Sequence, residues 1–157
     1  MKNFKNVVSK LIEKGFTIST MESCTGGGVC NEITNVPGAS SVLLFSAITY
    51  SNSFKIKMGV DSEIIDKYSV YSMETAISMA KAISSFSDSD IGVGITGKLK
   101  RGDPANDVGD DSTAYFSIYD RENDRLYNVE IKCLYDSRED NKRLIIDKVI
   151  EKLEEIL

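Results

Sequence analysis

The chain has no histidine anywhere in its 157 residues. The commonest general base near neutral pH and the commonest metal ligand are therefore both missing. Hydrolytic chemistry, if present, must run on Ser, Lys, Tyr, Arg, Cys or carboxylates. Cysteine is scarce: Cys24, Cys30 and Cys133 are an odd number without metal-type spacing, and they make a poor zinc site. No apolar run approaches 18 residues and no signal peptide is visible, so the expected compartment is the cytoplasm, with reduced thiols and no membrane partner. A basic balance is missing too. With 19 Lys and Arg against 24 Asp and Glu, the net charge is −5, which argues against a nucleic-acid partner. Lys98, Lys100 and Arg101 form the one compact basic patch. Apolar content of 41% and charged content of 27% suit a globular chain, and the length suits a single domain over residues 1–157.

No repeat, low-complexity tract or linker interrupts the pattern. Phe4, Val7, Val8, Leu11 and Ile12 fall at helical spacing, ended by Lys14-Gly15. Phe16 to Met21 reads as a strand, and Thr25 as the cap of a helix from Gly26 to Thr34. Val42 to Tyr50 reads as a buried strand. Helices are expected over Asp61 to Tyr68 and Met73 to Phe86, the second with Ala76, Met79, Ala80 and Ile83 inward and Ser72 at its cap. Ile91 to Thr96 is a third strand, and residues 98–112 form a polar loop. Thr113 to Tyr119 and Leu126 to Cys133 make a hairpin. A closing helix over 138–157 buries Ile146, Val149, Ile150 and Leu153, with Asp136 as a candidate cap. Helices alternating with strands predict an α/β fold, a sheet covered on both faces, and the hairpin makes that sheet mixed.

Chemistry-bearing residues concentrate between 20 and 60. Glu22-Ser23-Cys24-Thr25-Gly26-Gly27-Gly28 lies where a strand passes into a helix. Glycines there let a backbone approach a ligand, and free N–H groups at such a turn can hold an anion or oxyanion. The plainer reading is a capped tight turn. Cys24 is a rival nucleophile if its thiolate is favoured at the helix start, and inert if buried. Tyr50-Ser51-Asn52-Ser53-Phe54-Lys55 follows the second strand. In a parallel sheet the strand C-termini share one edge, so Tyr50 and Lys55 can converge on Ser23, and a lysine can deprotonate a serine without histidine. Taken singly, they read as a packed tyrosine and a solvated lysine. Arg138, in the first turn of the last helix, sits at the end where cations are disfavoured, a misfit that an anionic partner or neighbouring Glu139 would explain. Gly92-Val93-Gly94-Ile95-Thr96-Gly97 matches the dinucleotide pattern, but its glycines lie within a strand and no helix follows. They are read as sites of close backbone approach.

These residues together resemble the C-terminal domain of competence-damage-inducible proteins, the nicotinamide-nucleotide amidohydrolase family. The resemblance rests on Glu22-Ser23-Cys24-Thr25-Gly26-Gly27, Val36-Pro37-Gly38-Ala39-Ser40, Thr49-Tyr50-Ser51-Asn52 with Lys55, Gly59-Val60, Ser72 and Gly94-Ile95-Thr96-Gly97. It runs in order along essentially the whole chain. It implies a three-layer α/β/α sandwich with a mainly parallel sheet containing one antiparallel hairpin. It implies hydrolysis of the carboxamide of nicotinamide mononucleotide (NMN) to nicotinate mononucleotide and ammonia, without metal or organic cofactor. Ser23 takes the place of the family's nucleophile, Tyr50 and Lys55 those of its tyrosine and lysine. Arg138 takes the place of its arginine, with Arg143 a weaker match. Thr25, Gly26, Gly27, Asn52, Gly97 and Arg138 are the substrate-binding positions it implies. It also implies a homodimer with a small-molecule nucleotide substrate, here as a stand-alone domain without the N-terminal domain that many members carry.

One departure stands out. Where many members have a Gly-Pro-Gly-Gly-rich loop after the third strand, this chain has Lys98-Leu99-Lys100-Arg101-Gly102-Asp103-Pro104-Ala105-Asn106. Lys98, Lys100 and Arg101 are therefore candidate phosphate partners in place of glycine amides. The alternatives are a catalytically silent nucleotide-binding or regulatory module of the same fold, and an amidohydrolase acting on another small amide.

Overall fold

A computed structural model describes residues 2–100 and 111–157. The elements run α1 (Lys5–Lys14), β1 (Ile18–Glu22), α2 (Gly28–Thr34), a 3-10 turn (Ala39–Ser41), β2 (Ala47–Ile48), α3 (Asn52–Lys57), α4 (Ser62–Tyr68), α5 (Met73–Ser87), β3 (Ile91–Gly97), β4 (Thr113–Asp120), β5 (Arg125–Lys132) and α6 (Arg138–Ile156). The five strands form one sheet in the order β2-β1-β3-β4-β5. β2, β1 and β3 are mutually parallel, whereas β4 pairs antiparallel with both β3 and β5. Four strands thus point one way and only β4 opposes them, the mixed, mainly parallel arrangement expected.

Helices cover both faces. On one, α1, α2 and α6 bury Phe4, Val7, Leu11, Val29, Ile33, Ile145, Val149 and Leu153 against β1, β3 and β4. On the other, α5 lies so close to β3 that a Cβ on Gly92 or Gly94 would collide with the carbonyl oxygens of Ala80 and Ala76. That close approach accounts for the glycines of the dinucleotide-like pattern. The inward stripe of α5 is as expected: Ala76, Met79, Ala80 and Ile83 are fully buried, and the Ser72 hydroxyl caps the helix by accepting from the Thr75 amide at 3.1 Å.

Three expectations are corrected. The apolar run 42–50 is not one buried strand. Its first part closes the 3-10 turn and touches the sheet through one isolated parallel bridge, Leu43 to Ile18, and the strand proper is only Ala47 and Ile48, at the sheet edge, with Ile48 exposed. Thr25 does not cap α2. Its hydroxyl donates to Glu22, and the Glu22 carboxylate takes the α2 amides instead. At α6 the cap is Ser137, accepting from the Asp140 amide at 3.2 Å, rather than Asp136. The helix α3 has no counterpart in the sequence reading.

Candidate active site at the sheet edge

The C-terminal ends of β1, β2 and β3 lie side by side, the edge at which parallel sheets present ligand sites. At the end of β1, Glu22 is fully buried and accepts four hydrogen bonds: Thr20 Oγ1 at 3.1 Å, Thr25 Oγ1 at 2.7 Å, Val29 N at 2.9 Å and Cys30 N at 2.9 Å. A buried carboxylate needs such partners, and the unpaired first amides of a helix need an acceptor. Each requirement meets the other, and the 23–27 turn between them is held in place.

Ser23 starts that turn. Its amide continues the ladder to Ile95 O at 3.1 Å, and its carbonyl accepts from the Gly26 amide at 2.9 Å. The Gly28 amide is taken by Thr25 O at 3.0 Å, which leaves the amides of Thr25 and Gly27 without a hydrogen-bond acceptor among the described residues. Of the amides expected to face an oxyanion, Gly26 is therefore already committed, and Thr25 and Gly27 remain open.

Lys55 reaches the same point from α3. The Ser51 hydroxyl starts α3 by accepting from the Phe54 amide, and the register carries Lys55 inward. Its side chain is 1% exposed, which is rare for lysine. Its Nζ donates to Ser23 Oγ at 3.1 Å and to Thr49 O at 2.7 Å. Thr49 Oγ1 lies buried beside this group without a hydrogen-bond partner among the described residues. Tyr50 is largely exposed, and its hydroxyl accepts from Arg138 Nη2 at 3.2 Å. Asn52 opens α3 and is half-buried. Gly97 is buried against β4, where a Cβ would stand 2.7 Å from Ala114 Cα, so strand packing accounts for it.

Cys24, the rival nucleophile, is inert by its surroundings. Burial pushes its thiol up to about 12, and Cys133 and Glu22 act in the same direction, outweighing Lys55 and Arg138. A neutral thiol is a poor nucleophile. Burial likewise raises the Cys30 thiol, helped by Glu22 and opposed by a hydrogen bond from Ser46.

The arginines and lysines separate cleanly. Arg138 stands beside Tyr50, whereas Arg143 is taken up by Glu32 at 3.5 Å, Asp147 at 2.6 Å and the Lys2 carbonyl at 2.8 Å. Lys98 is buried, paired with Asp111 at 3.1 Å and placed over the Tyr71 ring. Lys100 pairs with Asp136 at 2.8 Å and holds that carboxyl below its ordinary range. Both described lysines of the basic patch thus have carboxylate partners. Arg101 and the Asp103-Pro104-Ala105-Asn106 element lie outside the described residues.

Among the described residues no three His, Cys, Asp or Glu side chains gather as metal ligands, and no helix is long and apolar enough to cross a membrane. Sequence reasoning missed two features of the site. The organising role of Glu22 is signalled only by a carboxylate immediately before a glycine-rich helix start. Lys142, whose Nζ lies beside Gly26, carries no local signal at all.

Comparison with known proteins agrees with this architecture. The model of the CinA C-terminal domain matches residues 2–157. A CinA-like protein of Kosmotoga olearia is 44% identical over 116 residues, covering 72% of this chain and 27% of that protein. The chain spans about a quarter of the length of the curated relatives it matches. Among solved structures, a CinA superfamily protein from Klebsiella pneumoniae superposes with a TM-score of 0.86 at 20% identity, covering 96% of this chain and 92% of that one. A competence/damage inducible protein from Agrobacterium tumefaciens gives a TM-score of 0.81 at 24% identity, covering 98% and 94%. The structural likenesses establish the fold, and the match along the sequence establishes the lineage: this chain belongs to the CinA C-terminal domain family.

Proposed function

We propose that the domain is an amidohydrolase that deamidates NMN to nicotinate mononucleotide, with Ser23 as nucleophile and Lys55 as its base. The observation that carries this reading is the buried Lys55 Nζ at 3.1 Å from Ser23 Oγ. That distance is a direct hydrogen bond, the geometry that general-base activation of a serine requires. In this reading the neutral amine of Lys55 takes the Ser23 proton as Oγ attacks the carboxamide carbon. The open amides of Thr25 and Gly27 receive the developing oxyanion, each donor contributing about 3 kcal/mol to the transition state. The C–N bond then breaks, ammonia leaves with the proton held by Lys55, and an ester to Ser23 remains. Water adds to that ester, its proton passes to Lys55 and on to Oγ, and nicotinate mononucleotide departs. Thr49 O holds the Lys55 ammonium during the steps in which it is charged. Tyr50, accepting from Arg138, keeps its own O–H free to donate at the mouth of the site.

The test is ammonia release from NMN by the purified protein, with other small pyridine and aliphatic amides alongside. Release from NMN supports the reading. Release only from another amide keeps the mechanism and changes the substrate. A folded protein that releases ammonia from none of them, yet is thermally stabilised by NMN, is a binding module instead.

A further inference from the structure

Two cations on α6 stand apart from every other charge pair near the site. Arg138 and Lys142 are one turn apart and share a face of the helix. That face runs along the 23–28 turn. Arg138 meets Tyr50 OH, Lys142 Nζ lies 3.5 Å from where a Cβ on Gly26 would be, and Ile146 Cδ1 lies 2.9 Å from the same point on Gly28. Arg138, in the first turn, opposes the helix dipole, and the two like charges four residues apart repel. No carboxylate of the described residues lies within ion-pair distance of either one, although Lys98, Lys100 and Arg143 all have such partners. Arg138 has the Tyr50 hydroxyl to bind, whereas Lys142 has no hydrogen-bond partner among the described residues. Gly26 beside it is exposed, has φ +61° and carries no side chain, so the ammonium is open to whatever occupies the turn.

We infer that Lys142 is the residue that docks the phosphate of the ligand, and so selects a phosphorylated nucleotide over the corresponding nucleoside. The inference rests on the reading of the site as one for a pyridine mononucleotide. It assigns the anion to α6 rather than to the basic segment after β3, whose described lysines are already paired. Arg138 is left to position Tyr50. A phosphate between Lys142 and the turn supplies the negative charge that this helix face lacks.

The experiment is calorimetric titration of wild type, Lys142→Met and Lys142→Arg with NMN and with nicotinamide riboside, and with inorganic phosphate as competitor, with ammonia release measured on the same samples. Lys142→Met is expected to weaken NMN binding about ten-fold or more, the loss expected for one charge-assisted hydrogen bond, and to leave the riboside unchanged. Lys142→Arg should restore most of the NMN affinity. Phosphate should compete with NMN in wild type and not in Lys142→Met. Equal losses for NMN and riboside, no loss for either, or a wild type that binds neither NMN nor phosphate would each overturn the inference. Lys142-dependent NMN binding without ammonia release would leave the inference standing and remove the amidohydrolase. Ammonia release from NMN untouched by Lys142→Met would do the reverse.

Discussion

The Lys55 amine lies 3.1 Å from the Ser23 hydroxyl across 32 residues of sequence, with Lys55 only 1% exposed. Two parallel strands produce this meeting. β1 delivers Ser23 and β2 delivers the α3 turn to the same edge, and the Thr49 amide donates to Glu22 O at 2.8 Å to lock the two ends in register. Four consequences can be measured.

Glu22 organises the turn through its four hydrogen bonds. Glu22→Gln removes the charge that four donors share and places an NH2 group among them. The loss should be about 2–3 kcal/mol, or roughly 5–10 °C in Tm for a chain of this size. Thermal unfolding followed by circular dichroism checks it. A Tm within 1–2 °C of wild type would show that the buried carboxylate is dispensable to the fold.

Gly94 is a packing residue rather than a ligand contact. Gly94→Ala drives a methyl group into the α5 backbone at Ala76 and Ala80, which cannot yield as a side chain can. The expected cost is about 2–3 kcal/mol, as for other overpacked cores, read as a lower denaturant midpoint with an unchanged m-value.

Cys24 is protonated in the folded protein up to about pH 12, above the ordinary thiol range, because burial disfavours its thiolate. The raised value means that almost no thiolate exists at pH 8, so iodoacetamide should leave Cys24 unmodified in the native protein and label it once urea exposes it. Peptide mass mapping checks this. Cys24→Ala should retain ammonia release within a few-fold, whereas a nucleophilic Cys24 would lose it altogether.

Tyr50 and Arg138 act as a pair through their 3.2 Å hydrogen bond. Tyr50→Phe should lower kcat roughly 10- to 100-fold if its hydroxyl moves a proton in the reaction. Arg138→Met should lower it less, and the double variant should be no worse than Tyr50→Phe alone. A double-mutant cycle in kcat/KM reports the coupling, and simple additivity would show that the two side chains act independently.

The sequence made the scaffold legible where one local rule decided the outcome. The stripe of Ala76, Met79, Ala80 and Ile83 marked α5 by periodicity, and the alternation around Arg121 to Asp124 marked the β4–β5 hairpin. It misled where a distant group decided. Val42 to Phe45 is apolar enough for a strand, yet Val42 is buried while Leu44 is exposed, because the chain, turning off the 3-10 segment, meets the sheet at the single Leu43–Ile18 bridge and does not run along it. Thr25 has a cap's chemistry, but a carboxylate at the end of the preceding strand reaches the α2 amides first. Local motifs single out Ser23, Tyr50, Lys55 and Arg138, but only strand order brings Lys55 onto Ser23 and only the docking of α6 brings Arg138 onto Tyr50. Lys142 depends entirely on that docking, and no spacing in the chain announces it.

In the proposed reaction Lys55 activates Ser23 for attack on a carboxamide. The direct measurement is ammonia release from NMN by wild type, Ser23→Ala and Lys55→Met, each shown to be folded by circular dichroism. Wild type should release ammonia, and both variants should fall by at least about 10³-fold, the scale of removing a nucleophile or its base. Wild-type rates in a folded Ser23→Ala would contradict it.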